Sequence, residues 1–148
     1  EELLSGLREY CSLEKLELIE LVASVEAEVA QLPAEEEIEY LQAMGIDEPA
    51  RDKVVQSAYR ALGLISFFTA GEDEVRAWTI RKGEKAVDAA GEIHSDLARG
   101  FIRAEIVSWE DFLKAGSFEA AKSEGLMRLE GKDYVMQDGD IMVVRFKV

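Results

Sequence analysis

A chain of 148 residues that is 48% apolar can build one substantial core, or a core with an appendage. Its formal charge of −14 is unevenly held: residues 1–50 carry 14 acids against two bases, Arg8 and Lys15, while residues 51–148 carry 17 acids against 15 bases. The acidic first third repels phosphate backbones, the near-neutral remainder is free to present a basic face, and the lone Cys11 excludes an intrachain disulfide and a thiolate-rich zinc site. No apolar run approaches the length of about 18 residues that a membrane span needs, so no membrane partner is expected. The first residues lack the basic and apolar blocks of a secretory signal, and a single thiol fits a reducing, cytoplasmic location.

In chain order, EELLSGLREYCS reads as a short helix and KLELIELVA as a strand with Leu16, Leu18 and Leu21 or Val22 inward. SVEAEVAQL spaces Val25, Val29 and Leu32 as a helix does, with Ser24 as its expected N-cap. Pro33 starts another helix, PAEEEIEYLQAMG, with Ile38, Leu41 and Met44 as its apolar stripe; glutamates 35–37 are a solvated first turn rather than a metal cluster. EPARDKVVQSAYRALG predicts a helix with Val54, Val55, Ala58, Tyr59 and Leu62 buried and Gly63 at its end.

Beyond Gly63 the period changes from helical to alternating. LISFFTAG and EVRAWTIRKG, joined by AGEDE, predict a β-hairpin. EKAVDAAGEIHSDLARG is helical, FIRAEIVS is a strand, and WEDFLKAG and SFEAAKSEG are short helices capped by Ser108 and Ser117. The tail adds two or three strands around turns at Gly131-Lys132 and Asp138-Gly139-Asp140. A sheet packed on one main helix accommodates this order, an α+β fold of β-grasp (ubiquitin-like) type, preceded by a mostly helical segment with one orphan strand.

AVDAAGEIHSD followed by RAEIV, with the late QDGDIMVVRF, resembles the TGS domain. RDKVVQSAYRALGLISFFTAG, EVRAWTIRKG, AAGEIHSDLARGFIRAEIVSWEDF and RLEGKDYVMQDGDIMVVRF are similar to the C-terminal region of the YchF/Obg-like ATPase family, P-loop proteins of the Obg–HflX type. The resemblance is specific over residues 36–148 and looser before them. It implies three parts: residues 1–48 as an acidic remnant of the nucleotide-binding domain (helix-strand-helix-helix), 49–62 as a connecting helix, and 63–146 as a TGS domain. It further implies that intact relatives use ATP or GTP with Mg²⁺ and associate with ribosomes, the TGS part contacting RNA or the ribosome and regulating that activity.

Where the family has a Ser-Ala-Lys loop that helps hold the purine, this chain has Val22, Ala23 and Ser24, so the hydroxyl and the lysine are both missing from their positions. No G-x-x-x-x-G-K-[ST] occurs anywhere, nor the family's Asn-x-x-Glu motif. Without a phosphate cradle this chain has no machinery for hydrolysis and needs no cofactor of its own. A C-terminal fragment that contacts RNA or ribosomes is the first reading. A docking or homodimerising module, pairing through the orphan strand, is the second.

His94 is the only histidine. With no second histidine or a cysteine to join it, it cannot anchor a usual zinc site, and it lacks a positioned nucleophile to activate. A helix-terminal imidazole that bonds the last carbonyls is the structural alternative to a partner contact. The cations Arg76, Arg81, Lys82, Lys85, Arg99 and Arg103 lie on segments that a β-grasp fold brings near one another, and could share one sheet edge as an RNA-gripping patch. Acids at 72–74 and 84 are interleaved with them. Trp78 is either an exposed stacking platform beside Arg76 or a core residue, depending on strand register, and Trp109 is expected against Phe112. Asp138 and Asp140 resemble an acid/base pair but sit in a turn context. No catalytic or metal-binding constellation emerges.

Overall fold

Leu4, Leu7, Tyr10 and Cys11 recur at helical spacing, and Glu2–Leu13 forms α1 in the computed structural model, which describes residues 2–71 and 74–147. Two helices, α2 (Ala23–Val29) and α3 (Ala34–Ala43), follow, then α4 (Ala50–Leu62); these belong to one compact unit, Glu1–Leu62. Its small core is Val25, Val29 and Leu41, with Tyr40 and Ile46 packed around it. A helix N-terminus leaves backbone donors unpaired and carries partial positive charge. At α4 the Glu26 carboxylate answers both needs, each oxygen accepting from the Ala50 N–H at 3.2 Å.

Four expectations for this unit fail. Residues 16–22 form no strand; the chain leaves α1 through Lys15, the one described non-glycine residue at positive φ, and continues without strand pairing, with Leu16, Leu21 and Val22 exposed. A strand needs neighbouring backbone to satisfy its N–H and C=O groups, and the unit offers none there. Val22, not Ser24, is the N-cap of α2, and no side chain caps it. The apolar stripe of α4 also faces outward: Val54, Val55, Ala58 and Leu62 are exposed while Ala50 and Ser57 are buried. Polar anchors set that orientation, Glu26 on the Ala50 N–H and Glu17 paired with Arg60. In α3 only Leu41 of the expected stripe is buried.

The second unit, Gly63–Val148, is a five-stranded mixed sheet. β1 (Leu64–Ala70) and β2 (Val75–Arg81) form the hairpin the alternation predicts, with Glu72 and Asp73 of its turn outside the described residues. Helix α5 (Ala86–Ile93) and the one-turn α6 (Ser95–Arg99) lead to β3 (Phe101–Ser108). Helices α7 (Trp109–Ala115) and α8 (Phe118–Ser123) precede β4 (Arg128–Glu130) and β5 (Asp140–Phe146). The strand order β2-β1-β5-β3-β4, with β1 and β5 parallel, is the β-grasp arrangement.

Ala86, Ala89 and Ala90 line the buried side of α5, and their small side chains let it lie close on Ile65, Phe67, Ile80, Ala104, Ile106 and Met142. The opposite sheet face is only partly covered: α7 and α8 pack Phe112, Ala121 and Phe118 over Val107, Ile141 and Phe68. Ser108 Oγ accepts from the Asp111 N–H and Ser117 Oγ from the Ala120 N–H, both at 3.1 Å, as the cap spacing predicts. Trp109 lies over Gly139 rather than against Phe112, whose ring instead meets Phe118 with centroids 4.7 Å apart.

The turn before β5 joins several elements. Asp138 Oδ1 accepts from the Ser66 N–H at 2.8 Å, and the Gly139 N–H donates to Ser66 O at 2.8 Å, which sets β5 beside β1. Gly139 has φ +83°, and a Cβ there would collide with the Trp109 indole. A Gly139→Ala variant is expected to lose about 2–4 kcal/mol, from left-handed strain plus overpacking, read as a lowered urea midpoint.

Candidate nucleic-acid interface

Strand registers decide which cations meet. Arg81 lies four residues to one side of Ala77, the partner of Phe68; Arg103 lies four residues to the other side of Val107, whose partner Ile141 also pairs with Phe68. The two arginines are therefore about 26 Å apart along the strands, eight residues at roughly 3.3 Å each. The expected single edge is corrected to two separate groups. Arg81, Lys82 and Lys85 sit at one end of the sheet, and Arg99 and Arg103 at the other.

Within the first group Lys85 Nζ is 2.6 Å from Asp133 Oδ1. That hydrogen bond, with the opposite charges, raises the lysine and lowers the carboxyl from their ordinary values. Both side chains are well exposed, so the pair contributes little to stability. In the second group Arg99 is 2.6 Å from Asp96. Arg76 is on edge strand β2, its guanidinium 4.1 Å from the centroid of Trp78.

Trp78 belongs to the core side of the sheet. Its ring stacks near Phe67 at 6.5 Å, and its N–H donates to Thr69 Oγ1 at 3.0 Å. With Arg76 over the ring and the N–H used, it is a packing residue and not an open platform for bases.

His94 bridges two helices, as C-cap of α5 and N-cap of α6. Its Nδ1 accepts from the Asp96 N–H at 3.1 Å, so the imidazole satisfies a donor of the next helix instead of the carbonyls of the one it ends. The ring is otherwise exposed. An accepting Nδ1 leaves the ring proton on Nε2, available to a partner.

Val22, Ala23 and Ser24 lie at the start of α2, exposed, with one hydroxyl and no cation among them. No group of three His, Cys, Asp or Glu among the described residues is placed to hold a metal ion. This donor set does not fit a magnesium–nucleoside triphosphate.

Two clusters escaped the sequence reading. On the partly open sheet face, Glu105 is flanked by Arg145 at 3.0 Å and Lys122 at 3.9 Å, its carboxylate only 17% exposed. They border a cleft of about 360 Å³ whose apolar lining includes Phe118, Met127 and Val143. Arg103 stands directly across the ladder from Arg145. Alternation places Arg103 with Glu105, and Arg145 with Val143, on common strand faces. Only the register brings the two pairs together.

The second cluster surrounds Asp140, which is 2% exposed. Its carboxylate accepts from the Gln137 N–H and Tyr134 O–H, each at 2.9 Å, and from Arg128 at 3.3 Å. Asp138, facing Ser66, shares none of these bonds. The two carboxylates are engaged separately, which leaves no acid/base couple.

A family model described as "Protein of unknown function (DUF933)", the YchF GTPase C-terminal family, matches residues 64–147. The mixed sheet and the helix that covers one of its faces place Gly63–Val148 among α+β domains. The chain belongs to the YchF/Obg-like ATPase family. It is 50% identical over 147 residues to the "Ribosome-binding ATPase YchF" of Bacillus subtilis (strain 168), covering 99% of this chain and 40% of that protein. It is 46% identical over 129 residues to human "Obg-like ATPase 1", covering 87% and 32%. The solved Schizosaccharomyces pombe YchF GTPase superposes with a TM-score of 0.81 at 35% identity, covering 96% of this chain and 38% of that one. The chain thus spans about 40% of the length of the bacterial relative it matches.

Tyr134 is pushed up from the ordinary phenol value, first by burial and then by donation to Asp140. A group raised on folding stabilises the fold below its unfolded value, near 10, and loses that contribution as pH climbs through the folded one. Asp140 contributes to that rise, so an Asp140→Ala variant should lose less stability than the parent chain as pH climbs past the ordinary phenol value, read as a smaller alkaline fall in the urea midpoint. At neutral pH that variant should lose about 1–3 kcal/mol in urea titration, because the Gln137 N–H and the Tyr134 O–H lose their acceptor.

Proposed function

We propose that this chain is the C-terminal part of a cytoplasmic, ribosome-associated YchF-type ATPase, and that Gly63–Val148 is its TGS domain, a regulatory module that contacts RNA on the ribosome. The observation that carries this reading is the extent of the match, 99% of the chain at 50% identity to a protein named for ribosome binding. The local chemistry is compatible with it: Arg81 and Lys82 at one end of the sheet, and Arg103 and Arg145 at the other, are exposed cations on a rigid scaffold. The acidic first unit has no such groups in its first 50 residues beyond Arg8 and Lys15. Among the described residues no helix is long and apolar enough to cross a membrane.

In the whole protein, hydrolysis of ATP or GTP with Mg²⁺ belongs to residues outside this chain. Within this chain the segment Val22–Ser24 is a degenerate remnant of the loop that recognises the nucleotide. Filter binding of the 148-residue chain to ribosomal subunits should fall steeply between about 50 and 200 mM salt, and titration calorimetry with ATP or GTP plus Mg²⁺ should show no heat of binding. Absence of ribosomal binding at low salt would reject the reading.

A second reading, docking of another protein or another copy on Glu1–Leu62, is supported by an apolar groove of about 450 Å³ lined by Leu4, Leu7, Leu21, Val22 and Ile46. Strand pairing is not its basis, since residues 16–22 form no strand. Light scattering should detect a dimer that strengthens with salt as the acidic surfaces are screened. A monomer at every salt concentration would exclude self-association.

A further inference from the structure

The partly open face of the sheet combines features that the hairpin-exit cations lack. Like charges directly across an antiparallel ladder are destabilising. Arg103 and Arg145 occupy such positions on β3 and β5, yet only Arg145 has a carboxylate within ion-pair distance among the described residues. The unmatched positive charge invites an anion. Beside it, the cleft between α8 and the sheet is within the range of small-molecule sites, roughly 300–1,000 Å³, and apolar at Phe118, Met127 and Val143. Glu105 is recessed in the same cleft, held by Arg145 at 3.0 Å and more loosely by Lys122 at 3.9 Å, whose side chain is 70% exposed.

A flat apolar slot, a recessed two-oxygen acceptor and a cationic rim together suit one unstacked nucleotide of single-stranded RNA. Guanine alone among the four bases offers two adjacent donors, N1–H and the N2 amino group, to both oxygens of a carboxylate. Cytosine and adenine offer an amino group beside an acceptor that a carboxylate repels, and uracil offers a single ring N–H between two carbonyls.

We propose that this cleft receives an unstacked guanine of RNA, its base against Phe118, Met127 and Val143, its Watson–Crick donors on Glu105, and its flanking phosphate on Arg103 and Arg145. The proposal rests on the RNA-contact reading above and assigns that contact to one face of the sheet. Lys122 swings aside to admit the base. Arg145 holds the Glu105 carboxylate in the cleft, acting on the base only through that carboxylate.

The test is fluorescence anisotropy of the full chain with labelled single-stranded hexamers, six uridines against the same hexamer with one central guanosine, adenosine or cytidine. The guanosine hexamer should bind about tenfold more tightly than the others, the worth of one bidentate pair. Free GMP should bind far more weakly than that hexamer. Arg103→Ala should weaken all the hexamers alike, and in Glu105→Gln the guanosine hexamer should bind no more tightly than the uridine hexamer. Arg81→Ala with Lys82→Ala should leave the guanosine preference intact. Thermal melts of each variant separate these effects from unfolding.

Loss of binding in the Arg81/Lys82 variant with none in Arg103→Ala would overturn the proposal and leave the RNA reading intact. So would a guanosine preference that survives Glu105→Gln, or GMP binding as tightly as the hexamer. Ribosome binding that disappears with Arg103→Ala, while no hexamer binds, would assign the face to a protein and also overturn it. No binding to any RNA or ribosome at low salt would sink both.

Discussion

The second unit depends on one buried carboxylate. Asp140 begins β5, the strand that lies between β1 and β3, and its oxygens take bonds from Gln137, Tyr134 and Arg128. A charge so buried is tolerated only when donors surround it, so the loop from Gly131 to Gly139 must close around it. That closure reaches the helix. The Tyr134 carbonyl accepts from the Ala86 N–H at 2.8 Å, and the Met136 N–H donates to Glu84 O at 3.0 Å, so the loop supplies the cap that Lys85 does not. Met136, 1% exposed, then enters the core beneath α5. One aspartate thus links the β5 register, the N-terminus of the main helix and the central core.

With β5 fixed, the distribution of charge on the sheet follows. The Asp138 and Gly139 bonds to Ser66 align Ile141 with Phe68, and every later open-face position on β5 and β3 falls in step. Arg103 and Arg145 come together because of that alignment, and Arg81 is carried to the far end by the antiparallel hairpin. The helices divide the two faces unequally. α5 covers its side with alanines, while α7 and α8 cover only the part of the other side near Val107 and Ile141. Glu105 and Arg145 lie just beyond that cover, which makes a shoulder into a cleft.

Much of this architecture was legible in the residues. The alternation in LISFFTAG and EVRAWTIRKG specified the hairpin, the alanine-rich AVDAAGEI specified a helix that could lie close to a sheet, and Ser108 and Ser117 marked helix starts. What was not legible depended on register or on polar anchors. Helical spacing places His94 at the end of one helix, but its bond to the Asp96 N–H belongs to the next, and no periodicity announces a single residue that caps two helices. The face of α4 was misjudged because its apolar stripe is stronger than its buried one; Glu26 and Glu17, distant in sequence, decide the orientation. The Glu105–Arg145 contact spans forty residues, and no local pattern carries it.

The two units solve their polar problems differently, and this bears on what each is for. In Gly63–Val148 the acids nearest the sheet's cations are engaged: Asp140 by three donors, Glu105 by two cations, Asp96 by Arg99, Asp133 by Lys85. Arg103 and Arg145 face each other across the ladder, so a unit with more acids than bases still has local positive ground at that point. In Glu1–Leu62 the bases are the scarce partner: Arg8 takes Glu20, Arg60 takes Glu17, Arg51 takes Asp52, and many glutamates keep only solvent. Exposed leucines and valines on the same unit add apolar surface to that acidity. Such a surface is poorly suited to nucleic acid and well suited to protein, whereas the sheet's shoulder has the reverse character. The proposed RNA contact therefore rests on the second unit, and the proposed protein contact on the first.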